Sequence, residues 1–192
     1  ELFKVLICWV GTPIGAAVIS FLLYPSIAWV LNKMKLDIFS QDTTIRWALI
    51  LTGIYGSYAL GANNVANVTG VYVQTGLLTE PAALLIGGGS IAFGVLTFSR
   101  PVMTTVGSKL VRLDPFTAFI ATLGHAITVH FYAKVGVPVS TSQAIIGAVL
   151  GIGLYKGMQT INLSTLGKIA FGWVGTPLIA FLFSFSLYYI FG

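Results

Sequence analysis

Six apolar stretches separated by short polar gaps organise this chain of 192 residues. The stretches cover approximately residues 3–32, 45–75, 81–99, 114–133, 141–156 and 165–191. A helix needs about 20 apolar residues to cross the hydrocarbon core of a bilayer. The pattern therefore predicts an all-α fold, a polytopic bundle of membrane helices.

Two of the stretches do not match a simple membrane span. Residues 45–75 are long for one helix and contain a polar run at 61–67. This combination predicts either a discontinuous helix or a re-entrant pair of half-helices. Residues 141–156 are short for a full crossing.

The composition excludes an ordinary soluble domain and explains the basic charge. The chain is 56% hydrophobic and 8% charged, whereas a soluble domain is about 25% charged. Of the ten Lys and Arg residues, eight fall on one side of the predicted bundle, and only Lys4 and Lys134 fall on the other. By the positive-inside rule the first side is cytoplasmic and both chain ends are extracellular, which predicts a multi-pass protein of the cell membrane. The net charge of +5 thus needs no nucleic-acid partner.

A repeated pentapeptide suggests an internal duplication. The sequence WVGTP occurs at residues 9–13 and again at 173–177, and each copy is followed by a similar apolar run. An odd number of spans per repeat would make the two copies run in opposite directions, as in the inverted repeats of many secondary transporters. We then expect residues 1–35 to be the last helix of a preceding repeat, 36–44 a cytoplasmic linker and 45–192 the second repeat. The alternative is a shared preference for starting a helix around Thr-Pro.

Two uncharged polar runs lie inside the apolar stretches. Amide and hydroxyl groups are costly in lipid unless a polar partner meets them. Their oxygens can bind a cation, and their N–H and O–H groups, together with a helix N-terminus after Pro138, can bind an anion. The structural alternatives are helix packing for the first run and helix capping for the second. The candidate residues are Asn63, Asn64 and Asn67 in the first run, and Ser140, Thr141, Ser142 and Gln143 in the second.

These runs resemble two signatures of the inorganic phosphate transporter (PiT) family. The first resembles the duplicated GANDVANA signature and reads GANNVAN at 61–67; the second resembles PVSTT-(H/Q) and reads PVSTSQ at 138–143. The resemblance implies symport of inorganic phosphate with Na⁺ or H⁺ by two inverted halves, of which this chain would be the second. It implies no catalytic residue and no resident cofactor, and it leaves a homodimer open. The seven candidates would bind substrate, and the sodium ligands would come from Asn63, Asn64, Ser140 and Thr141.

The chain departs from the family pattern at two positions. Asn64 replaces the Asp of the first signature, so either the other half holds the cation with its own Asp or fewer cations bind. Gln143 occupies the position where the family also uses His, which puts proton relay in doubt. Of the two histidines, we expect His125 to form a hydrogen bond inside the bundle and His130 to lie at the interface.

Other functions remain as alternatives. Sulfate or another oxyanion would fit the same donors, and a passive channel could also contain paired half-helices. A membrane hydrolase that uses Ser142 with His125 lacks both a nucleophile-elbow pattern and a carboxylate to orient the histidine, so we do not expect an enzyme.

Overall fold

The computed structural model describes residues 2–191 and the side chains of residues 7–190, and this part of the chain contains six α-helices and no strand. The helices are α1 (Leu2–Lys33), α2 (Ile38–Gln74), α3 (Glu80–Thr104), α4 (Pro115–Val135), α5 (Thr141–Lys156) and α6 (Leu163–Phe191). Four of them, α1, α3, α4 and α6, are long and apolar enough to cross a membrane. The predicted all-α membrane bundle is therefore confirmed.

Helix α2 corrects one expectation. Its 37 residues form one continuous helix through the polar run at 61–67, so the predicted break or re-entrant pair within residues 45–75 is wrong. The run contains no proline, and its glycine and asparagine residues keep their backbone N–H groups for the helical hydrogen bonds. The polar run therefore presents side chains from an intact helix.

Helix α3 extends further than its apolar stretch. The apolar stretch ends near residue 99, but the helix continues through Pro101 to Thr104 and then widens into a π-helix, Thr105–Leu110. The hydroxyls of Thr104 and Thr105 donate to carbonyls one turn earlier, at 3.0 Å each. Pro101 offers no N–H to the carbonyl four residues earlier, so the regular hydrogen-bond pattern is interrupted in this part of the helix.

Helices α4 and α5 form an antiparallel hairpin, which we call the α4–α5 hairpin. Gly136 ends α4 in the left-handed conformation at φ 72°, Pro138 prevents continuation, and Ser140 caps α5. We call residues 136–140 the tip, and we call Asp114 and Lys156, at the other end, the base. The 16 residues of α5 extend about 24 Å, less than the roughly 30 Å hydrocarbon core. Helix α5, rather than residues 45–75, is therefore the element too short for a full crossing.

The hairpin is the centre of the packing. Helix α1 runs beside α5 from tip to base, because Pro13 meets Gly147 and Ala17 meets Gly151. Helix α2 lies against α4, and α3 lies against α2. The hydrophobic core comes mainly from the hairpin arms, with Ile120, Ala121, Val129, Ala144, Ala148, Val149 and Ile152 buried. Most side chains of α6 are exposed.

Helices α1 and α6 run in opposite directions. The N-terminal end of α6 lies near the base, where Asn162 N donates to the carbonyl of Leu110 at 2.9 Å. Trp173 lies further along α6 beside Ser142, close to the tip. Because α1 runs toward the base, the two copies of the WVGTP pentapeptide are antiparallel, as an inverted repeat requires.

Candidate functional site

The two polar runs meet at the tip of the hairpin. Asn63 Nδ2 donates to the carbonyl of Val139 at 2.8 Å, and Val139 N donates back to Asn63 Oδ1 at 3.3 Å. The Asn63 side chain is nearly buried, with 4% of the residue exposed. We call this pair of hydrogen bonds the Asn63–Val139 clamp. It holds the loop before α5 against the middle of α2 and satisfies two buried backbone groups.

A short hydrogen-bond chain extends from the clamp. Asn63 Nδ2 also donates to Asn64 Oδ1 at 2.8 Å, and Asn64 Nδ2 donates to Thr141 Oγ1 at 3.4 Å. Asn63 and Asn64 each keep lone-pair capacity on Oδ1, because a carboxamide oxygen can accept two hydrogen bonds. The chain therefore joins the first run to the first turn of α5 and leaves oxygens available to a ligand.

The hydroxyl groups surround the N-terminus of α5. Ser140 Oγ accepts from Gln143 N at 3.3 Å and lies 3.0 Å from Ser142 Oγ. Ser140 therefore caps α5, as the helix-capping alternative predicts. The side chain of Ser142 is exposed, and the cap does not require it. The first N–H groups of a helix have no partner within it, and its dipole is positive there. Hydroxyls and free N–H groups together make a neutral surface for an anion.

Gln143 and Asn67 occupy different surroundings. Gln143 is buried, and its Oε1 has no hydrogen-bond partner among the residues described. Asn67 is exposed and lines a cavity of about 130 Å³ below the tip, together with Ala133, Gly136 and Pro138. Asn64 and Asn67 also line a larger groove of about 520 Å³ between α2 and α3. All seven candidates thus lie at or beside the tip. Most of the hydrogen-bonding capacity of the Asn63 side chain is already used by the clamp and by the bond to Asn64.

The candidate site carries no charge of its own. The acidic residues of the described chain lie outside both polar runs, at Asp37, Asp42, Glu80 and Asp114. Within the same residues, no group of three His, Cys, Asp or Glu side chains could hold a metal ion. A cation at this site would rely on amide, hydroxyl and carbonyl oxygens.

The hydrogen bond expected for His125 is made by the other histidine of α4. Nδ1 of His130 lies 2.7 Å from the Tyr55 hydroxyl, so His130 forms the hydrogen bond inside the bundle. His125 forms no hydrogen bond to another described residue and lines a cavity of about 550 Å³ between α2, α3 and α4. The expected hydrogen bond of His125 is therefore wrong, and the expected interfacial position of His130 stays a prediction. The partner Tyr55 lies 75 positions away in the sequence, and spacing along α4 gives no signal of it.

The base of the hairpin is the charged counterpart of the tip. Asp114 Oδ2 and Lys156 Nζ lie 2.9 Å apart, and Thr117 N donates to Asp114 Oδ1 at 2.9 Å. Partial burial raises the pKa of the Asp114 carboxyl, but the hydrogen bonds from Thr117 and Lys156 outweigh it and hold the pKa below its usual value. Asp114 and Lys156 are 42 positions apart, so no local sequence pattern indicates this ion pair.

Together, the apolar helices and the buried polar cluster define an integral membrane protein with an uncharged polar surface inside its bundle. A model of the phosphate transporter family matches residues 1–184. The chain belongs to the phosphate transporter family, which confirms the resemblance seen in its two signatures.

Individual relatives agree with this assignment. The chain is 32% identical, over 96% of its length, to a protein of Methanocaldococcus jannaschii that carries the provisional name of phosphate permease, and it spans 59% of that protein. It is 31% identical, over 83% of its length, to sodium-dependent phosphate transporter 2 of Cricetulus griseus, and it spans 26% of that protein. The chain therefore corresponds to only part of these relatives.

A solved structure supports the fold. The structure titled "The sodium-dependent phosphate transporter" matches with a TM-score of 0.73 and 23% identity, over 90% of this chain and 62% of that one. At this identity the match shows the shared helical architecture.

Proposed function

We propose that this chain is one half of a sodium-coupled transporter for inorganic phosphate and that the hairpin tip is its contribution to the binding site. The observation that carries the proposal is the Asn63–Val139 clamp, which brings the two polar runs together at the N-terminus of α5, a helix too short to cross the bilayer. Polar groups inside a membrane bundle are costly unless they serve a polar ligand. Membership in the phosphate transporter family favours phosphate as that ligand.

Phosphate would bind at the N-terminus of α5. Ser140, Thr141 and Ser142 offer hydroxyl donors, and the first N–H groups of the helix point out of its end. Asn64, Asn67 and Gln143 would add amide groups from the sides of the tip. Because none of these groups is charged, the anion would be held by many neutral donors and released without breaking an ion pair.

Sodium would bind beside the clamp. The amide oxygens of Asn63 and Asn64 and the hydroxyl oxygens of Ser140 and Thr141 are hard neutral ligands, and half-helix ends and irregular backbone commonly coordinate Na⁺ in transporters. Neither run contains a group that titrates near neutral pH, which favours sodium over proton coupling. The name of the Cricetulus griseus relative also favours sodium. A carboxylate from the other half would complete the site.

The other half and the orientation belong to the same proposal. Residues 1–35 would end the first repeat and residues 45–192 would form the second, joined by a cytoplasmic linker at 36–44. The basic base of the hairpin would face the cytoplasm and both chain ends the exterior of the cell membrane. The antiparallel copies of the WVGTP pentapeptide support this arrangement.

Removal of the two serine hydroxyls tests the anion site. In liposomes that contain the complete transporter, the double variant Ser140→Ala and Ser142→Ala should raise the KM for phosphate severalfold, because two donors are lost. Ser26→Ala is the matched control, since its exposed hydroxyl bonds only to its own helix at Leu22. An unchanged KM in the double variant would contradict the site, and competition by sulfate as strong as by phosphate would contradict the substrate.

A further inference from the structure

Helix α6 exposes a row of small and hydroxyl side chains along one face. Thr176, Ala180, Ser184 and Tyr188 are spaced four residues apart, so they lie along one side of the helix. All four are exposed. In membrane proteins such small and hydroxyl residues mark helix–helix contacts rather than lipid-facing surfaces.

The same row is buried on α1. With the 164-residue offset of the WVGTP pentapeptide, the counterparts are Thr12, Ala16, Ser20 and Tyr24, and each is the same residue type. Thr12, Ala16 and Ser20 are 0% exposed. The ring of Tyr24 lies 5.3 Å from that of Phe116 and 4.6 Å from that of Tyr155. The same four residue types are thus packed against other helices on α1 and exposed on α6.

The segment of α1 that carries the row lies in a glycine-lined groove of the hairpin. A Cβ atom on Gly147 would collide with the carbonyl of Pro13, and one on Gly151 would collide with the carbonyl of Ala17. A Cβ atom on Gly124 of α4 would collide with Ser20. The backbones approach so closely that only glycine fits, which is the small-residue packing typical of membrane helices.

Helices α1 and α6 pack against the core through different segments relative to the pentapeptide. On α6, Leu166, Ile169 and Trp173 pack against the core, and the exposed row begins only after them. On α1 the order is reversed, since Trp9 is 38% exposed and Val10 is 61% exposed, and burial begins at Thr12. Helix α6 therefore packs before its row but not along it, whereas α1 packs along its row but not before it.

We propose that the α6 row docks on the hairpin of a second repeat unit, in a groove with small residues equivalent to Gly124, Gly147 and Gly151. Each unit would then pack its last helix against the hairpin of the other. The proposal rests on the paired halves of the proposed function. It is supported by the length of the relatives, because this chain spans 59% of the Methanocaldococcus jannaschii protein and 62% of the solved transporter.

Spin labelling of the complete transporter tests this docking. In a Cys8→Ser background, nitroxide labels at Ala180→Cys and Tyr188→Cys are compared with a control label at Leu182→Cys. Leu182 lies on another face of α6, and its counterpart Val18 is 52% exposed. Tyr188→Cys also leaves space for the label, so that one row position tolerates labelling if Ala180→Cys does not fold.

The oxygen accessibility of the labels in liposomes is the readout. We expect accessibility several-fold lower at positions 180 and 188 than at 182, also after dilution to one transporter per liposome. Equal accessibility at all three positions would overturn the proposal. Protection that disappears on dilution would also overturn it, in favour of a contact between two copies. Label accessibility is measured without phosphate uptake. Low accessibility of the row in a protein that does not transport phosphate would therefore contradict the proposed function but not the docking.

Discussion

The two ends of the α4–α5 hairpin are held by different chemistry. At the base, Asp114 and Lys156 form an ion pair whose side chains are 51% and 29% exposed. At the tip, the clamp joins Asn63 to the backbone of Val139 with neutral groups and almost no exposure. The ion pair at the base is therefore partly exposed, whereas the Asn63 amide at the tip is buried.

This difference predicts where the hairpin is vulnerable. An exposed ion pair contributes about 0–1 kcal/mol, whereas a buried backbone group left without its partner costs about 1–3 kcal/mol. The tip therefore depends on its hydrogen bonds more than the base depends on its charges. A neutral clamp also leaves the tip free of a fixed charge that would repel an anion or bind it too firmly.

Breaking the clamp should have the largest effect. Asn63→Ala leaves Val139 N–H and C=O buried without partners and frees the loop before α5. We expect at least a tenfold loss of phosphate uptake by the complete transporter in liposomes. Insertion into the membrane should persist, because the apolar helices are unchanged.

The matched control for this prediction is Asn32→Ala. Asn32 is exposed at the end of α1, so the same substitution should leave uptake within about twofold of wild type. Wild-type uptake by Asn63→Ala would show that the clamp is not needed for transport.

Restoring a carboxylate at the tip should change cation dependence more than phosphate affinity. In Asn64→Asp, the new negative charge lies beside the proposed sodium ligands and attracts a cation. We expect the sodium concentration for half-maximal uptake to fall severalfold, with a smaller rise in the KM for phosphate. A sodium titration at fixed phosphate measures the first quantity, and an unchanged titration would argue against a coupling role for Asn64.

Neutralising the base should have the smallest effect. Asp114→Asn removes the ion pair with Lys156, but Asn is also a good N-cap, so we expect less than about 1 kcal/mol of destabilisation. Because the pKa of Asp114 is lowered by folding, its stabilisation is full above the ordinary value of 3.8 and is lost as the pH falls below it. Melting temperatures of wild type and variant between pH 5 and pH 8 should differ by a constant amount. A difference that grows across this range would contradict the assignment.

The sequence predicted the elements of the fold and the polar runs, because both depend on local pattern. Apolar stretches located the six helices, and lipid's penalty on amides and hydroxyls singled out residues 61–67 and 138–143. The family resemblance added the expectation that these runs act together.

What the sequence could not predict depends on contacts between distant residues and on backbone groups. The partner of Asn63 is the main chain of Val139, which no side-chain pattern reveals. The bonds between Tyr55 and His130 and between Asp114 and Lys156 join different helices. Helix α2 continues through Asn63 because a helix needs only its backbone bonds intact, so polar side chains alone do not indicate a break.

The most direct test of the account is uptake of radiolabelled phosphate into liposomes that contain the complete transporter, with a Na⁺ gradient and a pH gradient imposed separately. We predict concentrative uptake driven by the Na⁺ gradient and none driven by the pH gradient alone, because the neutral tip offers oxygens to sodium and no titrating group to a proton. Uptake driven only by the pH gradient would contradict sodium coupling. The absence of concentrative uptake under either gradient would contradict the symporter itself and favour a passive channel or another oxyanion such as sulfate.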